Sequence, residues 1–168
     1  MIPHRRYTVF AGQFLITSVP ALLTTVLGSC IAVCLWDKEN HIGGINHYLL
    51  PGTPDDDTGD PTRGMAATHM LVRSMLNRRV KLENLEAKVF GGCNSLYKSS
   101  DVFRIGKRNS EIAFEILDHY GIPVAAQHVG GGHGRKIVFN TATGKVRMRL
   151  LTQTAAEVNE KINLGFGY

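Results

Sequence analysis

Two apolar runs separated by one short polar turn constrain the fold of this chain more than any other feature. The first run, residues 30–36, follows Gly28 and Ser29 and is dominated by apolar and β-branched side chains. A run this short, bounded by turn-forming residues on both sides, favours a buried strand over a helix. The second run, residues 41–50, follows the polar residues 37–40 and ends at a Pro-Gly pair. The sequence therefore predicts an antiparallel hairpin here.

Other short strands and a few helices are predicted on either side of this hairpin. The predicted strands are 13–19, 22–27, 87–90, 124–129, 135–140 and 145–150, the last two joined by a hairpin turn at 141–144. Helices are predicted from Thr62 to about Arg79, from Asn109 to Tyr120 with Gly121 ending the helix, and over 154–162. Strands do not alternate regularly with helices, which disfavours a doubly wound parallel sheet. We expect a mixed α/β fold, a layered sandwich with central mixed sheets flanked by helices.

Length and composition predict one globular domain over residues 1–168. With 43% hydrophobic and 20% charged residues, the chain can form a packed core. It has neither the pattern of a secretory signal nor an apolar run long enough to span a membrane, and its three cysteines are an odd count. A cytoplasmic protein with reduced thiols is therefore expected.

A net charge of +5 favours an acidic partner, which could be nucleic acid, an anionic membrane or an acidic protein surface. No basic stripe with interleaved aromatic residues is visible, so nucleic acid is the weakest of these candidates. The basic residues form three dense groups: Arg78, Arg79 and Lys81; Arg104, Lys107 and Arg108; Arg147 and Arg149.

The predicted hairpin brings a thiol and an imidazole together. If the turn is centred between Lys38 and Glu39, Cys30 faces His47 directly across the two strands, with Cβ atoms about 4.5–5.5 Å apart. A thiol becomes a nucleophile as thiolate and needs a proton acceptor at neutral pH. His47 can be that acceptor, which makes Cys30 and His47 a candidate nucleophile and base.

Residues before Cys30 can complete such a site. Gly28 and Ser29 form a turn of small residues, whose backbone N–H groups can stabilise an oxyanion. Thr24 lies six positions before Cys30 and can supply a hydroxyl or a carbonyl that orients the imidazole. The alternative is structural, because a buried cysteine is usually a small apolar core residue. We expect that structural role for Cys34 and Cys93.

Zinc is a second chemical possibility for the three cysteines. The spacing of Cys30 and Cys34 lacks the tight Cys-x2-Cys knuckle of structural zinc sites, and no histidine pair follows at a suitable interval. We therefore predict neither a metal nor an organic cofactor.

Two glycine-rich segments, 91–94 and 129–135, match no nucleotide-binding fingerprint. We expect tight turns that line a substrate groove with Gly91, Gly92, Asn94 and His133. His133 is also a reserve candidate for the base.

Leu-Gly-Ser-Cys at 27–30, followed by Gly-Gly-Ile-Asn-His-Tyr-Leu-Leu-Pro at 43–51, resembles the signature of the chemoreceptor glutamine deamidase family, CheD. Segments 88–94, 105–109, 121–123, 129–135 and 141–144 resemble later blocks of the family in the same order. The resemblance covers roughly residues 12–150. Cys93 lies where a small residue such as Ala is more usual, and the role of the tail at 151–168 is uncertain.

The resemblance implies that the catalytic Cys, His and Thr of the family are Cys30, His47 and Thr24. It implies hydrolysis of selected glutamine side chains of chemoreceptors to glutamate, with hydrolysis of receptor methyl esters as an open second reaction. The implied fold is similar to that of bacterial toxin deamidases.

The implied partners are the cytoplasmic helices of chemoreceptors, with a CheC-type phosphatase as a further candidate and no insertion into the membrane. The alternative function is a non-catalytic chemotaxis adaptor that binds receptors or such a phosphatase.

Overall fold

The computed structural model describes residues 5–55, 59–94 and 100–154. Within these ranges the chain forms nine strands, two α-helices and one short 3₁₀ helix. The strands are β1 Arg5–Thr8, β2 Phe14–Thr17, β3 Ala21–Leu27, β4 Ile31–Asp37, β5 Ile42–Asn46, β6 Leu85–Gly91, β7 Val124–Val129, β8 His133–Asn140 and β9 Val146–Thr154. The helices are α1 Gly64–Leu76 and α2 Ser100–His119, and the 3₁₀ helix is Leu82–Asn84.

The strands form two mixed sheets. The four-stranded sheet has the order β1-β3-β8-β9, in which only β1 and β3 are parallel. The five-stranded sheet has the order β2-β5-β4-β6-β7, in which only β6 and β7 are parallel. The expected mixed sheets are confirmed.

Strand β4 explains why the molecule has three layers. Its residues alternate between two hydrophobic clusters because successive side chains of a strand point to opposite faces. Ile31, Val33 and Leu35 pack with residues of α1 and α2, whereas Ala32 and Cys34 pack with residues of β3 and β8. The five-stranded sheet is therefore buried on both faces, between the helices and the four-stranded sheet. This is the layered sandwich that the sequence predicts.

The β4–β5 hairpin forms, but the predicted register was wrong. Leu35 pairs with Gly44 and Asp37 with Ile42, which places the turn at residues 38–41, one residue later than expected. The Asp37 side chain fixes this turn by accepting hydrogen bonds from two backbone N–H groups within it. His41 closes the turn in the left-handed conformation, with a φ of 54°.

This shift moves every pair by two residues and so leaves each side chain on its predicted face. The same register continues to a bridge between Ile31 and Tyr48, which sets His47 opposite Ala32. Cys30 and His47 are therefore diagonal neighbours on one face rather than directly opposed residues.

Both helices differ from prediction at their first residues. α1 begins at Gly64 after the N-cap Arg63, and the hydroxyl of Thr62 donates to Asp60 instead of capping the helix. α2 begins at Ser100, well before the predicted start at Asn109. Gly106 lies inside α2, where a Cβ would come within 2.6 Å of the Cys93 carbonyl oxygen. Glycine is therefore present here because the helix packs closely against Cys93, and not because the helix ends.

The chain after residue 150 was predicted to become helical from residue 154. Instead, β9 extends to Thr154 and pairs with β8 through a register shift near His133 and Arg135. The remainder of the predicted helix lies outside the described residues.

Candidate active site

Cys30 and His47 both lie in the space between the two sheets. Cys30 follows the bend at Gly28 and Ser29 that connects β3 to β4, and it belongs to the same hydrophobic cluster as Cys34. His47 directly follows β5. Only 2% of Cys30 and 1% of His47 is exposed. The fold thus encloses a thiol and an imidazole in one water-poor layer.

Thr25 determines which nitrogen of His47 carries the proton. The Thr25 hydroxyl donates its single proton to the Val9 carbonyl at 2.6 Å, and it contacts His47 Nδ1 at 2.8 Å. Since that proton is already used, the Thr25 oxygen must accept from Nδ1–H. The Val9 carbonyl, 3.5 Å from Nδ1, is also an acceptor and agrees with this assignment. Nδ1 is therefore protonated in the neutral imidazole.

The other ring nitrogen of His47 then carries a lone pair. Nε2 is buried and has no hydrogen-bond partner among the described residues. An imidazole held at one nitrogen and open at the other is the arrangement of a general base. Nε2 is the only atom of this ring that can take a proton from a thiol.

Thr24, the residue expected to orient the imidazole, does not do so with its side chain. On β3 the odd-numbered residues Ala21, Leu23 and Leu27 face the other sheet. Thr25 shares this face, whereas Thr24 points to the outside because adjacent residues alternate along a strand. The Thr24 carbonyl accepts a hydrogen bond from Val9 N at 2.8 Å. β3 carries apolar residues at even as well as odd positions, so the sequence holds no signal that separates Thr25 from Thr24.

Burial keeps both Cys30 and His47 neutral in the free protein. Desolvation, reinforced by the neighbouring Cys93 thiol, raises the pKa of Cys30 from 9.0 to about 12. Desolvation lowers the pKa of His47 from 6.5 to about 4, although its hydrogen bond to Val9 opposes the change. A resting thiolate–imidazolium pair is disfavoured in this environment. If Cys30 acts as a nucleophile, its proton must therefore pass to an acceptor as the sulfur attacks.

The end of β6 packs directly against the turn that carries Cys30. Gly92 N donates to the Cys30 carbonyl at 2.7 Å, and Cys93 N donates to the Gly28 carbonyl at 3.0 Å. Gly91 has a φ of 116°, and a Cβ at this position would overlap the Cys30 carbonyl oxygen. Glycine is therefore required here both for its backbone conformation and for the close approach.

Asn109 holds the same turn from the side of α2, a role that the sequence did not reveal. Its Nδ2 donates to the carbonyls of Ser29 at 3.0 Å and Leu49 at 2.8 Å. Asn109 is fully buried, and its own backbone carbonyl accepts from the Tyr48 hydroxyl. The sequence signal that could have identified Asn109 is an amide side chain on the buried face of a helix, because a buried amide needs hydrogen-bond partners.

Arg135 is a second residue that the sequence analysis did not place at the site. It is only 1% exposed, and its guanidinium donates to the carbonyls of His128 and Gly130 and to that of His133 at 3.4 Å. Nδ1 of His128 accepts a further hydrogen bond at 2.7 Å. Arg135 therefore fixes the glycine-rich loop between β7 and β8.

That loop is joined to the chain beyond β6. Gly130 N donates to the Gly91 carbonyl at 3.0 Å, and Asn94 N donates to the Gly131 carbonyl at 2.7 Å. The two predicted glycine-rich segments are thus brought together beside Cys30. Asn94 Oδ1 is buried without a hydrogen-bond partner among the described residues. His133 has an exposed side chain at the start of β8.

Cys34 and Cys93 are both buried with free thiols, and desolvation raises the pKa of each. Among the described residues, no group of three or more His, Cys, Asp or Glu side chains is placed to hold a metal ion. Within the same part of the chain, no helix has the length and apolar character needed to cross a membrane.

Comparison with known proteins places the chain in a family. The profile described as CheD chemotactic sensory transduction matches residues 49–150. A protein of Trichlorobacter lovleyi, named probable chemoreceptor glutamine deamidase CheD, is 43% identical over 144 residues, covering 86% of this chain and 89% of that protein. The chain belongs to the CheD family.

Two further CheD proteins carry the same name. That of Agrobacterium fabrum is 39% identical over 150 residues, covering 88% of this chain and 81% of the relative. That of Rhizobium leguminosarum bv. trifolii is 40% identical over 152 residues, with the same two coverages. The resemblance to CheD is confirmed over more of the chain than the profile alone matches.

Among solved structures, the Bacillus licheniformis hypothetical protein YfiH overlaps with a TM-score of 0.45 and 17% identity. The overlap covers 76% of this chain and 60% of that one.

Proposed function

We propose that this CheD protein is a chemoreceptor glutamine deamidase that uses Cys30 as nucleophile and His47 as base. The observation that carries the proposal is the imidazole of His47, whose Nδ1 is held by Thr25 while Nε2 is left open on the face that carries Cys30. Family membership and the names of the relatives support the choice of substrate. The enzyme converts receptor glutamine side chains to glutamate.

The reaction proceeds through a thioester. His47 Nε2 takes the proton of Cys30 Sγ as the sulfur forms a bond to the carbon of the glutamine amide. The amide C–N bond then breaks, and ammonia leaves with the proton returned by His47. Water attacks the thioester, again giving a proton to Nε2, and the thiol is released with glutamate as product.

The oxyanion is stabilised by backbone N–H groups of Ser29 and Cys30. The Gly28 carbonyl accepts from Cys93 N, and the Ser29 carbonyl accepts from Asn109. In a trans peptide the N–H points away from the carbonyl that precedes it. The Ser29 N–H therefore points away from the end of β6, and the Cys30 N–H points away from α2. Both can face the developing negative charge, while the Gly28 and Ser29 carbonyl oxygens are turned away from it.

Asn94 is the substrate-binding residue with the most direct support. Its buried Oδ1 can accept a hydrogen bond from the NH₂ group of the glutamine amide, and an unpartnered buried acceptor is costly without a ligand. Gly91 and Gly92 form the wall beside Cys30. His133 lies at the rim, where it contacts receptor rather than the reacting amide.

The chain acts as one domain in the cytoplasm, where the receptor helices are accessible. It needs neither a metal nor an organic cofactor, since thiol, imidazole and water supply every step. The same thioester route hydrolyses a receptor methyl ester as a side reaction. A CheC-type phosphatase is a further partner.

A pair of cysteine variants tests the proposal. Cys30→Ala and Cys34→Ala remove the same atom from the same hydrophobic cluster, yet only the first removes the nucleophile. We expect purified wild-type protein and Cys34→Ala to convert receptor glutamine to glutamate, detected by mass spectrometry of a receptor cytoplasmic fragment. Cys30→Ala should be inactive with an unchanged circular dichroism spectrum. Turnover by Cys30→Ala would refute the mechanism, and an inactive wild type that binds the fragment would favour a non-catalytic adaptor.

A further inference from the structure

The outer face of the four-stranded sheet carries four cationic side chains. Residues opposite each other across the sheet share a face, so pairing identifies its members. Val138 pairs with both Thr24 and Arg147, and Lys136 pairs with both Val26 and Arg149. On the other edge Arg6 pairs with Leu22. We call Arg6, Lys136, Arg147 and Arg149 the basic face.

The described strands of this sheet supply no negative charge to offset the basic face. The strands β1, β3, β8 and β9 contain no Asp or Glu. Its four cations form no ion pair with any described residue, whereas Lys81, Lys107 and Arg108 all pair with nearby glutamates. The two other basic groups seen in the sequence are thus partly neutralised, and this one is not.

The arrangement is unfavourable in the isolated protein. Lys136 and Arg149 are directly opposed on adjacent strands, and like charges in this position destabilise a sheet. Arg147 lies two residues from Arg149 on the same face. An anionic partner would relieve this repulsion. The basic face therefore favours a negatively charged partner at this particular surface, whereas the net charge of the chain indicates no location.

The residues between the cations indicate what kind of anion fits. Leu22 and Val138 are partly exposed aliphatic side chains on this face, and Thr8 and Thr24 accompany them. None of the outward positions that these pairings define holds an aromatic ring, so bases of a nucleic acid would find no stacking partner. Cations around an aliphatic centre instead match an amphipathic helix with acidic flanks.

The basic face also lies close to the nucleophile. Lys136 and Arg149 lie beside Val26, close to the end of β3. From Val26 the chain passes through the bend at Gly28 and reaches Cys30 four residues later. Four residues of extended chain span at most about 14 Å, and a helix with side chains is about 10–12 Å wide. One docked helix bundle can therefore contact the basic face while presenting a residue to Cys30.

We propose that the basic face is the docking surface for an acidic amphipathic helix of the chemoreceptor substrate. This inference rests on the proposed deamidase function for the identity of the partner. The aliphatic centre contributes contact area, and the four cations align the helix and accelerate encounter.

The test compares two charge reversals of equal size. Arg147→Glu with Arg149→Glu alters the basic face. Arg78→Glu with Arg79→Glu alters the turn that follows α1, on the helical side of the five-stranded sheet. The two measurements are kcat/KM for deamidation of a receptor cytoplasmic fragment and calorimetric binding of that fragment in a Cys30→Ala background. We expect the first pair to lower kcat/KM and affinity by about tenfold or more at low salt, and the second pair by less than about twofold.

Different results would identify different errors. Equal losses of kcat/KM and affinity in both double variants would mean that only net charge matters. No loss in either variant would place docking elsewhere. Both outcomes would overturn the proposed role of the basic face. If the fragment binds through the basic face but the wild type does not deamidate it, the proposed function fails while the docking surface stands. Loss of binding to phosphatidylglycerol vesicles, with receptor binding unchanged, would assign the face to membrane and overturn the proposal. Thermal unfolding of each variant verifies the fold.

Discussion

Replacing Thr25 with Val tests how His47, the proposed base, is oriented. Val has nearly the shape of Thr but lacks the hydroxyl that contacts His47 Nδ1 at 2.8 Å and the Val9 carbonyl at 2.6 Å. Without it, the Val9 carbonyl at 3.5 Å is the one remaining acceptor near Nδ1 within the part of the chain that the structure describes. The matched control is Thr24→Val, the same chemical change one residue away on the outer face of β3.

The structure sets the size of the effect. A buried hydrogen bond contributes about 0.5–1.5 kcal/mol, and a buried polar group left without a partner costs about 1–3 kcal/mol. Thr25 is 1% exposed, so water does not replace its hydroxyl. If the variant destabilises the reactive tautomer of His47 by about 1.4–2.8 kcal/mol, the activation free energy rises by the same amount. The expected result is a kcat that is about ten- to hundredfold lower. We expect Thr25→Val to lose about 2 kcal/mol of stability as well.

The assay is the rate of glutamate formation in a receptor fragment, followed by mass spectrometry under saturating substrate. Thr24→Val should retain kcat within about twofold, and Thr25→Ser should restore most of the activity lost in Thr25→Val, because it keeps the hydroxyl. If Thr24→Val is the more damaging variant, or if Thr25→Val is fully active, the Thr25 hydroxyl does not orient His47.

Three further changes have defined outcomes. Because the pKa of His47 falls from 6.5 in the unfolded chain to about 4 in the fold, its stabilising contribution is complete above pH 6.5 and is lost as the pH falls toward 4. Urea titrations should show about 3 kcal/mol of this loss, and His47→Gln should lack it; an equal acid loss in the variant would exclude the imidazole as the cause. Gly91→Ala should destabilise by about 3 kcal/mol or more through its overlap with Cys30, while Gly131→Ala, with the same need for positive φ but open space around it, should lose only about 1–2 kcal/mol. Arg149→Glu places a negative charge directly opposite Lys136 and should raise the free energy of unfolding by about 0.2–1 kcal/mol, measured at low salt. A lower stability would contradict the repulsion inferred for the basic face.

Patterning predicted the strands of the central hairpin well because its residues are buried on both faces. The run that became β4 is almost entirely apolar, and only a strand between two layers requires that composition. β1 was not predicted. All four of its residues are exposed, so no burial pattern marks it, and it exists because it pairs in parallel with β3.

Two features near the site could not be read from the sequence. Thr24 and Thr25 are chemically identical and adjacent, and β3 carries apolar residues at both odd and even positions. Sequence could not decide which face would meet the other sheet. The hairpin register was wrong for a related reason, since the turn is set by Asp37 side-chain hydrogen bonds that composition does not reveal.

The sequence by itself determined the fold class, the family and the two residues that we propose as nucleophile and base. These follow from local order along the chain: apolar runs, turn residues and the spacing of Cys30 and His47. The tertiary structure alone decided what each group can do. The tautomer of His47 depends on Thr25 and Val9, and the shape of the Cys30 turn depends on Asn109 and on the glycines after β6. Hydrogen bonds and burial between segments far apart in sequence set proton positions and pKa values, and no local pattern encodes those contacts.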